Sequence, residues 1–361
     1  MNYDLNMSPN WIYEAAILLS ERDSDRTADL IENYSSFGIS KEEMIERLSK
    51  YIEYKEAILP EIIPIFEEYP YLIKYFDNLH PSTDDYLPAA PTLAGCLGNA
   101  MDEMPSKEEI DLLVNDFIID TISGFSERIS SSKVINSLEE LLSYMDDEDV
   151  NDETKLLLID IYRNRYKVLN GLVDLLQACA PVCQEYFYIL QDDFQKAVEL
   201  VSDRENINKL LNMDGSININ LNENVAAFLS LSNFNGLSLT EGIDGFLMYV
   251  GIYFFDYLKL KTENRFSDTQ LINDLKALGD ATRLKIVHLL AKEKMYVQEL
   301  ANELELTPAT ISHHINTLLK SELITITLDT ERPKTIYYQL NPGKIYSLGS
   351  TVQGLVDYKE V

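Results

Sequence analysis

Asp280-Ala281-Thr282-Arg283-Leu284-Lys285-Ile286-Val287, then Val297-Gln298-Glu299-Leu300-Ala301, then Thr307-Pro308-Ala309-Thr310-Ile311-Ser312-His313-His314-Ile315 follow one another in a single stretch near the C-terminus. Their spacing predicts helices over 282–292, 297–304 and 308–320, preceded by a shorter one over 271–278. In the helix over 282–292, Leu284, Val287, His288 and Leu290 or Ala291 are expected to face inward. Thr307 is a good N-cap and Pro308 a favoured first helical residue, so the last helix starts sharply after the turn Glu305-Leu306-Thr307. Ile311, Ile315, Leu318 and Leu319 then recur at helical spacing as a buried stripe, with His314 at its flank. Alternation over 324–328 and 335–340, around a tip at 329–334, predicts two paired strands. Together these elements read as a helix-turn-helix followed by a wing.

The stripe leaves Ala309, Thr310, Ser312, His313, Asn316 and Lys320 on the outer side of the last helix, with Thr307 at its head. This is the face that such a helix offers to base edges, N-terminal end leading. Thr310, Ser312, His313 and Asn316 donate or accept hydrogen bonds, and the Thr310 methyl can meet a thymine methyl. The free N–H groups at the helix start suit a phosphate. Arg332 and Lys334 at the wing tip suit the backbone or the minor groove. His314 reads as a support residue rather than a contact.

Residues 271–340 resemble the winged helix-turn-helix of the arsenic-repressor (ArsR) family. The resemblance rests on Leu278-Gly279-Asp280-Ala281-Thr282-Arg283-Leu284, on Ser312-His313-His314, and on Ile336-Tyr337-Tyr338-Gln339-Leu340 closing the wing. It covers a fifth to a quarter of the chain. It implies a transcriptional regulator that binds double-stranded DNA, usually as a homodimer and often as a repressor. In small members of the family the terminal helices make the dimer, and a helix over 344–356 could serve here. Metal-sensing members carry Cys-Val-Cys at the start of the third helix, where this chain has Tyr296-Val297-Gln298. The C-terminal helix also lacks histidine, so no metal and no cofactor is expected in this domain.

Working outward, the charge divides unevenly. The chain carries 30 basic and 60 acidic residues. Of these, 10 basic and 12 acidic lie in residues 266–361, which leaves 20 and 48 in residues 1–265, a net of −28 against −2. A surface that acidic repels phosphate over roughly the 8 Å screening length of physiological salt, so the larger part is expected to point away from a bound duplex. The expected organisation is an acidic, mostly helical sensor and dimerisation domain over 1–265 and the winged helix over 266–361, with a linker at 259–265. The fold class is mainly α with minor β.

Within the larger part, Ser40-Lys41-Glu42-Glu43 and Ser106-Lys107-Glu108-Glu109 are capping boxes, the first with Ile39 and Met44 as a hydrophobic staple. Ile110, Leu113, Val114, Phe117 and Ile118 form a core-seeking stripe. The first 200 residues read as helical. Pro60, Pro64 and Pro70 are expected to interrupt one segment, and Pro181 to end a helix that starts near Glu153. The span 79–105, with Pro81, Pro88, Pro91 and Pro105, reads as loop. Between 215 and 253, Ser216–Asn220, Val225–Phe234 and Phe246–Tyr253 suit strands of a small antiparallel sheet. At the end, Phe266, Ser267, Gln270 and Leu271 suit a capped start to the last domain.

Other function classes find little support. There is no glycine-rich phosphate loop, no nucleophile elbow and no His-Glu-x-x-His helix, so no catalytic residue is named and an enzyme is not expected. Cys96, Cys179 and Cys183 are too few for a disulfide framework and read as buried apolar groups in a reducing, cytoplasmic protein. The uncharged run of interest, Gly245–Phe255, is too short to span a membrane. The reading is a regulator that recognises a palindromic operator through 308–320 and senses an unknown small-molecule, peptide or protein effector through the acidic domain. The alternative is a module in which winged helix and acidic domain bind proteins. The near-neutral charge of 266–361 keeps that alternative open, and the polar outer face of 308–320 weighs against it.

Overall fold

A computed structural model of the chain describes residues 2–23, 30–31, 34, 39–77, 88–98, 104–123, 134–147, 150–202, 217–218, 224–242, 245–263, 268–328 and 336–355. It is mainly helical with little strand. The larger part runs β1 (Asn2–Asn6), α1 (Trp11–Ser20), α2 (Lys41–Glu67), α3 (Ala89–Leu97), α4 (Lys107–Ser123), α5 (Leu138–Asp147), α6 (Asp152–Glu185), α7 (Gln191–Ser202), β2 (Ile217–Asn218), β3 (Asn224–Ser230), β4 (Leu237–Gly242), β5 (Gly245–Gly251) and α8 (Phe254–Glu263). The winged helix follows as α9 (Asp268–Leu278), α10 (Ala281–Leu290), α11 (Val297–Leu304), α12 (Pro308–Lys320), β6 (Ile324–Leu328), β7 (Ile336–Leu340) and α13 (Pro342–Gly354).

α6 is the spine of the body, with α1, α2, α3, α4 and α5 packed along it. α1 is apolar around most of its circumference, and Ile12 through Leu19 are all buried, as a helix of that composition requires. Both capping boxes are formed. Ser40 Oγ accepts from the Glu43 N–H at 3.2 Å, and Ile39 and Met44 bury in one cluster. Ser106 and Glu109 exchange bonds of 2.6 and 3.2 Å. The stripe Ile110, Leu113, Val114, Phe117 and Ile118 is buried.

Three prolines behave otherwise than expected. Pro60 and Pro64 lie inside α2 and Pro181 inside α6. All three are on exposed faces, where water can satisfy the carbonyl that each proline leaves without its N–H partner. The buried stripe Ile58, Ile62 and Phe66 continues past them. The span read as loop contains α3, whose small residues Ala89, Ala90, Ala94 and Gly95 are buried. Its Pro88 and Pro91 occupy the cap and first turn, where no N–H is needed. The expected linker is helical as far as Glu263 because Phe254, Phe255 and Leu258 join the core; residues 264–267, including Ser267 of the expected cap, lie outside the described residues.

The small sheet is present but not purely antiparallel. Its order is β1-β3-β5-β4, with β1, β3 and β5 parallel and only β4 antiparallel to β5. Val225, Ala227, Leu229, Phe246, Met248 and Val250 turn into the main core. Phe228, Leu247 and Tyr249 turn the other way, onto Tyr13 and Ile17 of α1. Burial on both faces is the condition for parallel strands, and it explains their near-continuous apolar runs. β1, which sequence reading missed, pairs with β3 more than two hundred positions away and carries too few apolar residues to announce itself. Ile217–Asn218, expected in this sheet, pairs instead with β6 of the wing.

One buried carboxyl group anchors the sheet. Glu14 of α1 is fully enclosed and accepts from the backbone N–H groups of Leu231 (3.2 Å) and Ser232 (2.7 Å) just after β3. Burial pushes its pKa up, while hydrogen bonds from Ser232, Ser230 and Leu231 oppose the shift. Glu14→Ala should destabilise the fold by about 2–5 kcal/mol, since it strands two buried donors. Glu14→Gln keeps one acceptor and should cost less. Urea unfolding compares them, and equal losses would remove the two N–H groups as the cause.

Candidate nucleic-acid interface

The helix-turn-helix is built by turns whose chemistry is local. Asp280 caps α10 by accepting from the Arg283 N–H at 2.9 Å. That bond holds its carboxyl below the usual range. Arg283 reaches back to the end of α9, donating to the Ala277 carbonyl at 2.5 Å and the Lys276 carbonyl at 2.9 Å. Asp280 and Arg283 thus fix the angle between α9 and α10, which gives the run Leu278–Leu284 a structural reason. They also set the rotation of α10: Ile286, Val287 and Leu290 are buried, whereas Leu284 and His288, expected inside, are exposed.

α11 and α12 end alike. Glu305 and Glu322 follow them with φ of 55° and 59°, in the left-handed region that glycine prefers. The next residue closes each turn: Leu306 N–H donates to the Ala301 carbonyl and Leu323 N–H to the Leu318 carbonyl, both at 3.0 Å. α12 begins as expected, with Thr307 Oγ1 accepting from the Thr310 N–H at 3.2 Å and Pro308 in the first turn.

α12 is sharply two-faced. Ile311, Ile315 and Leu318 are buried. Thr307, Ala309, Thr310, His313, Asn316 and Lys320 are exposed and Ser312 is half-exposed, so all seven lie on accessible surface. The Thr310 hydroxyl sits 2.9 Å from that of Thr307. His314 points the other way. Its Nδ1 is 3.7 Å from Asp280, and burial holds its pKa below the ordinary histidine value, with Asp280 opposing the shift. Arg332 and Lys334 lie outside the described residues. The wing strands pair from Ile324–Leu340 to Leu328–Ile336, and Met295 adds a bridge to Tyr338 on the outer edge of β7.

α13 is tied to α9 by an ion pair that sequence reading did not find. Lys344 Nζ lies 2.8 Å from Asp274, with both side chains almost wholly buried, and Gln270 donates to the same carboxylate at 2.8 Å. Ile272 and Leu275 on α9, and Tyr346 and Val352 on α13, remain exposed, as does Leu355 just beyond it. Among the described residues no group of His, Cys, Asp and Glu is arranged to hold a metal. Cys179 and Cys183 share a buried face of α6, and burial pushes the Cys179 thiol up to about 12, so it is no thiolate at neutral pH. No described helix is long and apolar enough to cross a membrane.

Comparison with known proteins bears on this module alone. Residues 280–325 match the bacterial regulatory protein, arsR family. The transcriptional repressor SdpR of Bacillus subtilis is 38% identical over 69 residues, 19% of this chain and 73% of that protein. The cadmium resistance transcriptional regulatory protein CadC of Listeria innocua is 39% identical over 74 residues, 20% of this chain and 60% of that protein. The arsenical resistance operon repressor of Staphylococcus aureus is 33% identical over 72 residues, 20% of this chain and 66% of that protein. The chain thus spans about three fifths to three quarters of these relatives, and they span a fifth of it. No solved structure matches the chain.

Two stability outcomes test this geometry. Lys344→Ala leaves a buried carboxylate without its countercharge and should cost about 3–5 kcal/mol, whereas the paired change Lys344→Met with Asp274→Leu should cost much less. Chemical denaturation followed by hydrogen exchange in α9 reads both. Glu305→Gly, at an exposed left-handed position, should raise stability by up to about 1 kcal/mol, and a loss there would contradict the assigned backbone.

Proposed function

Because the chain belongs, through its C-terminal module, to the arsR family of bacterial regulatory proteins, we propose that it is a DNA-binding transcriptional regulator that represses from a palindromic operator. The observation that carries this reading is the two-faced α12, with an unbroken apolar stripe below and a polar, accessible strip above. Thr310, Ser312, His313 and Asn316 read base edges. Thr307, Lys320, Arg332 and Lys334 hold phosphates, and Ala309 allows close approach. His314 supports the helix from beneath.

Two copies bind together, one recognition helix per half-site, about one helical turn apart. The dimer surface is the apolar strip Ile272, Leu275, Tyr346, Val352 and Leu355, which a second copy would cover. The buried Asp274–Lys344 pair gives that strip a fixed shape by locking α9 to α13. The acidic body senses the effector, because the winged helix lacks the Cys-Val-Cys at which metal-sensing relatives respond. Relatives are named for cadmium and arsenical resistance, but Tyr296-Val297-Gln298 offers no thiolate here. No residue is assigned a catalytic role.

Fluorescence titration of the full chain on its own promoter region tests the proposal. His313→Ala or Thr310→Ala should weaken specific binding by about 1–3 kcal/mol and relax base preference, with little change on random duplex. Arg332→Ala should weaken all sequences alike and lower the salt slope by about one unit. Affinity for the promoter no better than for random DNA would count against the whole reading. Tyr346→Glu should shift the chain towards monomer in analytical ultracentrifugation and weaken operator binding with it.

A further inference from the structure

The body does not stand clear of the DNA-reading module. α4 packs against α12. α4 carries Glu108, Glu109, Asp111, Asp116 and Asp120 against a single Lys107. Its core stripe faces α3 and α6, yet Ile119, on the opposite side of the helix, is also fully buried. Ser321 and Glu322, in the polar turn that leaves α12, are only 6% and 4% exposed, while Lys320 beside them stays exposed. A second contact lies beside the first. Ile217–Asn218, from the body, pairs in parallel with Ile326–Thr327 of β6 and makes a third strand of the wing sheet. One apolar cluster runs without a break from the body into the winged helix.

This placement conflicts with the electrostatics of DNA binding. Residues 1–265 carry a net charge of −28. A duplex seated on α12 would bring phosphates towards the acidic helix packed against it, and repulsion between exposed charges acts over roughly 8 Å at physiological salt. Lys107 and Arg165, which pairs with Asp111, offset part of that charge and leave the helix acidic. Building on the DNA-binding reading, we infer that the described arrangement is an autoinhibited state. α4 and strand 217–218 clasp the reading helix and the wing, and release of the clasp raises DNA affinity. A signal received by the body then acts by shifting the balance between clasped and released forms.

The test uses full-length chains titrated on the promoter duplex and on random duplex at low and high salt. Asp116→Asn with Asp120→Asn removes two charges from the half of α4 that holds Ile119. Ile217→Pro with Asn218→Pro removes the N–H groups that the added strand needs. Each pair should raise affinity about three- to tenfold for both duplexes, with the gain from the aspartate pair shrinking at high salt. Glu42→Gln with Glu46→Gln makes the same change of charge on exposed positions of α2 and should have little effect. Hydrogen exchange should show faster exchange in Ile324–Leu328 of the proline variant, with α12 still protected. Affinity unchanged or lowered in both variants, or raised equally by the α2 pair, overturns the clasp and leaves the DNA-binding reading intact. Loss of specific binding by every chain, wild type included, overturns both.

Discussion

A helix that reads a duplex has to satisfy water and an apolar core at once, along its whole length. On the reading proposed above, α12 meets that constraint with Ile311, Ile315 and Leu318 beneath and Thr310, His313 and Asn316 above. Everything nearby keeps the boundary between these faces from rotating. Thr307 fixes the start, Glu322 in the left-handed region fixes the end, and His314 wedges against the capping Asp280. A rotation of one residue, about 100°, would bury hydroxyls and expose isoleucines, so the geometry of the interface is a packing result before it is a recognition result.

Legibility from sequence followed the range of the interactions. The winged helix was readable nearly to the residue, because caps, turns and apolar periodicity act within a few positions, and α11, α12 and β6 lie where expected. Its exceptions arise where distant groups decide. The rotation of α10 depends on Arg283 reaching α9, and the Asp274–Lys344 pair joins residues seventy positions apart. The same holds in the body. Capping boxes and the α4 stripe were legible, whereas β1, the parallel order of the sheet and the pairing of 217–218 with the wing were not. The apolar runs of β3 and β5 did carry a signal for two-sided burial that strict alternation obscured. The prolines of α2 and α6 misled because a proline states what it cannot donate, not which side of a helix it occupies. Arg332 and Lys334 fall outside the described residues, so their role rests on sequence alone.

The chemistry of the body is quiet by comparison. Of its buried carboxyl groups, Glu14 meets backbone donors and ties α1 to the turn after β3, and Glu21 accepts from Tyr51 of α2. The thiols of Cys179 and Cys183 are buried, and burial raises both. Such groups give rigidity to a large frame, which a conformational relay requires, because a soft frame would absorb a small displacement instead of passing it on.

Ile217–Asn218 has a consequence for how the chain can be divided. These residues precede β3, β4, β5 and α8 in sequence, yet they complete the sheet of the module that follows all four. The two halves are therefore interlaced, and no single cut between them separates the sheet from all of its strands. A fragment beginning near 266 would present β6 with a bare outer edge, and bare edges recruit other strands. Exchange of the wing between fragments, or their assembly into chains, is the natural outcome of such a division.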